Sequence, residues 1–530
     1  MSLALLLLSP QFAAIAYHTS ARVAARNAHR ATALASVGPR ATPWPSSYEH
    51  TARVSSVHES PSWSEHRSFS HTLCTILLAF VVSLPSCISP SDMAHAAQPQ
   101  AVIGKATTMS TAVPAEEARL PSTSVSAAAS VDSASKPTSR RYINLTGFPF
   151  PLGPFLERKT VETVLVPNKV YSFEQEQQLS GITANVRSTV FRMRDNTLLV
   201  YNPVAPTEEF LSQLAALHGD GVSHILLGST AYEHKIFVGP FARKFPSAKV
   251  WAVPDQWSFP LDLPAPLLGI NTKGSGGGEL IDTTATSAAY AKAPDLTAEF
   301  EVKLLRPAKR LGFRYAANEA ALFHKDTKTL ALTDALVYVP ASSPEIYDRA
   351  NLLAVGDNAR NSNSLGNIIL KGAGAVNWRG TASREVEALF SASDSAAREP
   401  AESQLQRGWE RNTLLSLYFG PSPTSLIDPT TSFNMIREKW IVAPVTDSLI
   451  YRSERVKPEL ARWVEDVARW DFKTIAPAHF AAGPGTADDL RNAFSPTLKP
   501  EPRETRAPYN ENDVRLLDDL ATLLRKRHII

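Results

Sequence analysis

Two apolar, strand-like runs separated by a short helical segment lie in the middle of the chain. The first run, VSHILLGS, starts at Val222, and the second, AKVWAVP, starts at Ala248. Between them, VGPFARKFP carries Pro240 near its start, a position that suits the first turn of a helix. Strands joined through a helix usually pair in parallel within one sheet. This order therefore predicts a layered α/β fold.

Two β-hairpins and an amphipathic helix are predicted around this unit. Apolar and polar residues alternate on both sides of Asp195–Asn196. The same signal recurs around Lys325–Thr327, with a return strand predicted over Thr329–Val339. The helix TEEFLSQLAALHG begins with Thr207 as candidate N-cap and carries acidic residues in its first turn. We therefore expect this helix to pack on the first hairpin.

The later part of the chain contains a glycine-rich segment and a second amphipathic helix. We interpret Gly274–Glu279 as a flexible loop, since no strand precedes it and no Lys-Ser/Thr pair follows it, as a phosphate-binding loop requires. The segment PELARWVEDVARW is predicted to be a helix that places Trp463 and Trp470 in the core. A strand, KTIAP, follows and leads to His479.

The N-terminal region has the composition of targeting segments. Residues 1–97 combine a short apolar run, a stretch whose basic residues are arginines, and a second apolar run, LCTILLAFVVSL. Such a series resembles the layered address of a plastid protein, in the stroma or the thylakoid lumen. Because both runs are shorter than the ~20 residues that span a bilayer, we expect no stable membrane span in the mature protein. An uncleaved anchor over Leu73–Ile88 is the alternative.

The remaining boundaries follow from composition. Residues 98–140 are rich in Ala, Ser, Thr, Val and Pro, which predicts a disordered linker. We place the folded domain at 141–500 and a helical C-terminal tail at 501–530.

Charge and cysteine content limit the partners and the metal ligands. The formal net charge is +3, so composition gives no reason to expect a nucleic-acid partner. One basic run is typical of a solvated face; it comprises Lys303, Arg306, Lys309, Arg310 and Arg314. The only cysteines, Cys74 and Cys87, precede the folded domain. A metal there needs His, Asp or Glu ligands, which favours zinc, iron or manganese.

Four polar residues follow apolar strands and are the candidate metal ligands. Glu233 and His234 come after HILLGS, Asp334 comes at the end of LALTD, and His479 comes after TIAPA. Since α/β folds place their sites at the carboxyl ends of strands, these four side chains could converge. Each of them taken singly is more typical of a surface or hydrogen-bonded residue.

This order of elements resembles the metallo-β-lactamase superfamily, which implies a four-layer αββα sandwich with insertions and a helical C-terminal part. The first motif of that superfamily is Thr-His-x-His-x-Asp-His, and this chain has GSTAYEH. The resemblance places Ser229 and Ala231 where the first two histidines belong. The third ligand of the first metal site is also missing, because RLGFRYAANE contains no histidine. At most one metal site is therefore implied, built from Glu233, His234, Asp334 and His479.

The chain resembles more closely the family called domain of unknown function 4336, which is assigned to this fold and occurs mainly in photosynthetic organisms. The matching stretches cover most of Gly147–Phe480; they are FPLGPFLERKTVETVLVP, LLVYNPVAPT, YEHKIFVGPFARKFPSAKV, QWSFPL, FHKDTKTLALTD and APAHF.

Three hypotheses about function remain open. The first is a plastid hydrolase, or a related oxidoreductase, that uses one divalent metal ion on an unknown small-molecule substrate. The second is a non-catalytic binding or assembly module that keeps the sandwich without a metal, which loss of the first-site histidines favours. The third, a nuclease or RNA binder, is suggested by other members of that superfamily and by the basic run, but the chain has no pronounced basic excess to support it.

Overall fold

A computed structural model describes residues 138–143, 153–179, 182–256, 263–283, 290, 293–307, 317–358, 365–372, 389, 400–499 and 508–526. The predicted targeting region 1–97, with the alternative anchor inside it, and residues 98–137 of the predicted linker lie outside the described residues. In the described ranges, no helix is both long and apolar enough to cross a lipid bilayer.

A seven-stranded sheet opens the domain. Its strands are β1 (Val161–Val166), β2 (Val170–Leu179), β3 (Ile182–Arg192), β4 (Leu198–Tyr201), β5 (Val222–Leu227), β6 (Lys249–Ala252) and β7 (Gly278–Glu279), and their order in the sheet is their order in the chain. The strands from β1 to β4 are antiparallel. Those from β4 to β7 are parallel. The predicted hairpin around Asp195–Asn196 and the predicted parallel pairing are both confirmed.

The glycine-rich segment is part of the sheet. Gly278 and Glu279 form β7 beside Trp251 and Ala252 of β6, so the prediction of a flexible loop is wrong at this end. The backbone of Gly277 passes so close to β6 that a Cβ atom there would lie 2.0 Å from the carbonyl oxygen of Val250. Glycine therefore permits this edge strand to pair.

The second sheet has five strands. They are β8 (Phe300–Leu305), β9 (Glu319–His324), β10 (Thr329–Ala331), β13 (Thr474–Ala476) and β14 (Gly483–Pro484), in the order β14-β13-β10-β9-β8. A separate pair is formed by β11 (Val337–Tyr338) and β12 (Trp440–Ile441). The hairpin β9–β10 is confirmed, but the single return strand predicted over Thr329–Val339 is wrong. The return strand ends at Ala331 because the amides of Thr333 and Asp334 donate to the Glu319 carboxylate instead of to a neighbouring strand.

The described helices surround the two sheets. They are α1 (Glu208–Ala216), α2 (Tyr232–Lys235), α3 (Val238–Ala242), α4 (Pro294–Glu299), α5 (Arg349–Gly356), α6 (Leu365–Gly372), α7 (Ala401–Tyr418), α8 (Pro423–Ile427), α9 (Thr430–Ile436), α10 (Pro444–Thr446), α11 (Lys457–Val467), α12 (Ala487–Leu498) and α13 (Glu511–Lys526). A 3₁₀ turn covers Ala265–Leu268, and a π-helical turn, Asp447–Tyr451, follows α10. Thr207 caps α1 as predicted, since its side chain accepts a hydrogen bond from the amide of Phe210.

Among the described residues, the three largest apolar cores separate four layers. One core lies between the sheets and joins Phe191 and Leu226 of the first sheet to Phe300 and Leu322 of the second. A second core packs the first sheet against α1 and α3. The third packs the second sheet against the later helices, with Trp463 3% and Trp470 8% exposed. The predicted αββα sandwich is therefore confirmed, and so are the core positions of both tryptophans.

The C-terminal tail and the basic run were the subjects of two further predictions. Helix α13, in the predicted C-terminal tail, buries Val514, Leu517 and Leu524 in the core beside the second sheet. In the basic run, Lys303 lies in β8 with only 7% of its surface exposed, so the prediction of a solvated face is wrong there. Its neighbour Arg306 pairs with Asp255 at 3.1 Å, whereas Lys309, Arg310 and Arg314 lie outside the described residues.

Candidate metal centre

The loop after β5 carries the first two candidate ligands into the interior. A single helical turn, α2, follows this loop and buries the side chains of Glu233 and His234, which are 1% and 2% exposed. The loop must pass very close to the first sheet, because a Cβ atom on Gly228 would lie 1.9 Å from the Tyr201 hydroxyl oxygen. The lack of a side chain at Gly228 therefore lets the loop turn inward directly at the end of the strand.

Asp334 is held by the buried carboxylate of Glu319. This carboxylate accepts hydrogen bonds from the amides of Thr333, at 2.7 Å, and of Asp334, at 3.1 Å. The Thr333 hydroxyl lies 3.0 Å from both the Tyr201 hydroxyl and the side-chain amide of Asn202. These contacts fix the backbone on which Asp334 is presented.

His479 lies in a loop after β13 that is fastened to β3. The Arg187 amide donates to the carbonyl of Ala478, and the Arg187 guanidinium donates to the carbonyls of Pro477 and Phe480. That guanidinium forms a buried ion pair with Glu174, whose Oε1 lies 2.7 Å from Arg187 Nη2. We call this pair and its contacts to the loop the β3 latch.

The four candidate ligands converge at one place. One ligand atom from each of Glu233, His234, Asp334 and His479 can be chosen so that all lie within 4.8 Å of one another. Asp334 Oδ1 lies 3.1 Å from His479 Nε2 and 3.5 Å from His234 Nε2. Ligand atoms about 2.1 Å from a tetrahedral zinc ion are about 3.4 Å apart, so these separations suit a shared cation.

The imidazole nitrogens are arranged as metal ligands require. His479 Nδ1 lies 2.7 Å from the carbonyl oxygen of Asn185, and since a carbonyl only accepts, Nδ1 carries the proton and donates. The remaining nitrogen, Nε2, faces Asp334. The buried Nε2 of His234 makes no hydrogen bond to any described residue. A histidine whose other ring nitrogen donates to a carbonyl is the usual arrangement at metal centres.

The electrostatics of the cluster favour ionised Asp334. Burial alone would raise its pKa, but the neighbouring His234 and His479 lower that pKa well below the usual value. The pKa of Glu319 shifts in the opposite direction: burial and the Asp334 charge raise it to about 8. The two carboxyl groups thus differ in role, with Asp334 presenting a charge and Glu319 supporting the loop.

A cavity of about 90 Å³ opens beside the four residues. Glu233, Asp334 and His479 form part of its wall, and apolar side chains from the α10 region form another part, including those of Val445 and Ile450. Ser229 and Ala231 also line it. The Ser229 hydroxyl lies 3.4 Å from Asp334 Oδ2. The space suits a few water molecules or a small ligand.

The residues that support the ligands were absent from the sequence prediction. Asn185 and Arg187 occupy one face of β3, two residues apart, and Glu319 begins a strand whose next four residues are apolar. Polar residues on the buried face of a strand were the available signal. The partners of Asn185 and Arg187 are about 290 residues away in the chain, however, which no local pattern reveals.

The family follows from a match over most of the described body. The family model for domain of unknown function DUF4336 matches residues 167–433 and 427–495. The chain belongs to this family. The four candidate ligands all lie within the matched residues. No curated protein matches the chain in sequence.

Several solved structures show a limited likeness to this DUF4336 protein. A metallo-β-lactamase from Pontibacter korlensis is 12% identical, with 65% of this chain and all of that chain covered and a TM-score of 0.29. The metal-soaked Flv1 flavodiiron core from Synechocystis is 9% identical, with coverages of 64% and 61% and a TM-score of 0.32. The flavodiiron protein from Giardia intestinalis is 12% identical, with coverages of 64% and 59% and a TM-score of 0.31. The chain thus spans less than two-thirds of the two flavodiiron proteins.

Proposed function

We propose that Glu233, His234, Asp334 and His479 bind one divalent metal ion and that this DUF4336 protein is a metal-dependent hydrolase of small molecules. The observation that carries the proposal is the convergence of four ligand atoms within 4.8 Å at the wall of a cavity. The buried Nε2 of His234 agrees with the proposal, because it makes no hydrogen bond to any described residue and lies 3.5 Å from Asp334 Oδ1, a separation that suits a shared cation.

The donor set agrees with such an ion. Two imidazole nitrogens and two carboxylates suit zinc, iron or manganese, which accept mixed nitrogen and oxygen ligands. Two carboxylates this close together each disfavour ionisation of the other unless positive charge lies between them. A divalent ion would supply that charge without adding a side chain to the cavity.

The residues around the ligands would perform the remaining tasks. A divalent ion in this position would act as a Lewis acid toward a water molecule or a substrate oxygen. Asn185 would keep His479 in the tautomer whose Nε2 is free to coordinate. The apolar wall near Val445 and Ile450 would keep bulk water away from a bound substrate.

A non-catalytic binding module is the second candidate, and one observation favours it. The positions that the superfamily resemblance assigns to two histidines are occupied by Ser229 and Ala231, which line the same cavity without offering an imidazole. Two-metal hydrolysis needs both ions, so that chemistry is lost. Hydrolysis of ester or phosphodiester substrates by the metal-loaded protein, abolished in His479→Gln, would favour the enzyme. Metal binding without turnover would favour the module.

Metal analysis of purified protein tests the metal centre itself. We expect about one equivalent of tightly held zinc, iron or manganese in the wild type and a loss of that equivalent in both Asp334→Asn and His479→Gln. His218→Gln, at an exposed histidine, is the matched control and should retain the metal. Equal metal content in all four proteins would contradict the proposal.

We also propose delivery to a plastid, supported by the arginine-rich, acid-poor composition that follows the first apolar run. Residues 1–97 fused to a fluorescent protein should direct it into the plastid of an algal cell. A fusion in which Arg22, Arg26 and Arg30 are replaced by glutamate should stay outside. Import of both fusions, or of neither, would count against this address.

A further inference from the structure

A second histidine–carboxylate cluster lies at the other end of β9. Glu319, which supports the candidate metal centre, begins this strand, and His324 ends it, roughly 17 Å further along. There, ligand atoms of Glu299, His324 and Asp326 lie within 4.8 Å of one another. Asp326 belongs to the turn of the β9–β10 hairpin, and Glu299 ends α4.

The buried imidazole of His324 has a defined tautomer. Its side chain is only 1% exposed, and its Nδ1 lies 2.8 Å from the Thr327 hydroxyl oxygen. That hydroxyl donates its own proton to the Thr329 hydroxyl at 2.9 Å, so it accepts from His324. Nδ1 therefore carries the ring proton, and Nε2 presents a lone pair.

The lone pair of His324 faces a carboxylate. Nε2 makes no hydrogen bond to any described residue, and Glu299 Oε2 lies 3.7 Å from it, which is too far for a hydrogen bond. Glu299 is itself buried, with its side chain 4% exposed. Two electron-rich atoms at this separation repel each other unless a cation lies between them.

We propose that Glu299, His324 and Asp326 form a second divalent-cation site, suited to zinc, at the end of the sandwich opposite the candidate metal centre. One imidazole nitrogen and two carboxylates are a common ligand set for zinc. The 3.7 Å separation is close to the roughly 3.4 Å between ligand atoms of a tetrahedral zinc ion. The proposal rests on these residues alone and does not depend on the function proposed above.

Arg194 sets the affinity of this second site. Its guanidinium pairs with Asp326, donating from Nε at 2.8 Å, and its backbone amide donates to both carboxylate oxygens of Glu299. The guanidinium thus occupies the carboxylate that a metal ion requires. Because the Asp326 side chain is 33% exposed, an ion can enter there by displacing Arg194. We therefore expect the second site to bind zinc more weakly than the candidate metal centre.

Zinc titration calorimetry on the full chain tests the second site. The double variant Asp334→Asn/His479→Gln removes the candidate metal centre, and it should still bind one zinc ion. Adding Asp326→Asn should weaken that binding by at least about 100-fold. Adding Thr327→Val should weaken it by roughly 10–100-fold, because His324 loses the partner that fixes its tautomer. Neither of these residues lies in the core, so both variants should fold.

Two further variants complete the test. Arg194→Met should strengthen zinc binding several-fold, since Asp326 is then free. Asp471→Asn is the matched control, because Asp471 is an exposed acid paired with Lys328 of the same hairpin, and it should bind like its parent. When the same substitutions are made in the wild-type chain, the titration should show two zinc ions, and the weaker second one should respond to the substitutions. Absence of zinc binding in the double variant, or binding that Asp326→Asn and Thr327→Val leave unchanged, would overturn the proposal.

Discussion

The two ends of β9 gather similar residues but balance their charge differently. At the Glu319 end, Asp334 pairs with two imidazoles, those of His234 and His479. At the His324 end, Asp326 pairs with the permanently charged guanidinium of Arg194. A guanidinium keeps its positive charge at every physiological pH, whereas an imidazole is charged only when it is protonated. The first end therefore offers Asp334 and the imidazole nitrogens to a metal ion, whereas at the second end the guanidinium of Arg194 competes with an ion for Asp326.

The two ends also differ in how firmly they are built. The β3 latch holds the His479 loop through Arg187, whose side chain is 3% exposed and pairs with Glu174 at 8% exposure. Arg194 and Asp326 pair at the surface, with 55% and 33% of their side chains exposed. Ion pairs contribute differently in these two settings, because only a buried partner is left without solvent when the pair is broken.

The largest expected effect comes from breaking the β3 latch. Arg187→Met leaves the Glu174 carboxylate buried without its cation, which should lower the free energy of unfolding by about 3–5 kcal/mol. Arg194→Met, the matched change at the surface pair, should leave the free energy of unfolding nearly unchanged, because solvent screens an exposed ion pair. Urea denaturation of the metal-free proteins measures both values. If both variants lose a similar amount of unfolding free energy, the two ends do not differ in how much their ion pairs stabilise the fold.

Metal removal should separate the two ends next. A ligand present at about 100 times its Kd stabilises the folded state by roughly 2.7 kcal/mol. Chelation should therefore lower the unfolding free energy of the wild type by about 2–3 kcal/mol. It should change Asp334→Asn by less than 0.5 kcal/mol, since that protein lacks the tight ion. Thermal and urea unfolding with and without chelator measure the difference. A wild type that chelators leave unchanged would count against the candidate centre.

A smaller effect should follow from loosening the support of Asp334. The Tyr201 hydroxyl donates to the carbonyl oxygen of Ala320 at 2.7 Å and lies 3.0 Å from Thr333 Oγ1. Tyr201→Phe removes these contacts inside the core and should cost about 1–2 kcal/mol. Tyr338→Phe, at a partly exposed tyrosine, is the control and should stay within about 0.5 kcal/mol of wild type. Urea denaturation midpoints measure both changes, provided that the unfolding free energy depends equally on urea concentration in the variants and the wild type.

His224 shows what a histidine–carboxylate pair looks like when both ring nitrogens have partners. Trp251 Nε1 donates to His224 Nδ1 at 3.0 Å, and His224 Nε2 lies 2.8 Å from Asp295. Burial lowers the pKa of His224 below its usual 6.5. The unfolded chain therefore binds more protons just below pH 6.5, and the stability that the neutral ring contributes is lost as the pH falls through that range.

This pair should respond to pH but not to metal. The His224 contribution to the pH slope is at most about 1.4 kcal/mol per pH unit, the value for one proton. Unfolding free energies between pH 5 and 7, measured with chelator, should show a smaller slope in His224→Gln than in wild type. Parallel slopes would show that His224 titrates alike in the folded and unfolded states.

The elements that carry the site could be predicted because their signals are local. Helix and strand periodicity placed α1, β5, β6 and α11 correctly, and Glu233, Asp334 and His479 were selected because each follows a strand. β10 and β13 are parallel neighbours, so the residues after them, Asp334 and His479, emerge at the same edge of the second sheet. The superfamily resemblance supplied the arrangement that local patterns lack.

The supporting residues and the second cluster could not be predicted in the same way. Arg187 and Asn185 contact the loop at Phe480, and this long-range pairing is a property of the packed sandwich. The pattern around Asp326 indicates only a turn, because Glu299 lies in a separate element, helix α4, and approaches Asp326 only in the folded domain. The return strand after Thr329 was predicted too long for a related reason, since the Glu319 carboxylate ends it by capturing amides.

Anomalous diffraction from crystals grown with zinc would test the central claim most directly, because it locates the ion itself. We expect an anomalous peak within about 2.0–2.2 Å of ligand atoms from Glu233, His234, Asp334 and His479. In the same crystal, His479 Nδ1 should still donate its hydrogen bond to the carbonyl oxygen of Asn185. A zinc-saturated crystal with no peak between these four side chains, and with Asp334 simply hydrogen-bonded to the two imidazoles, would contradict it.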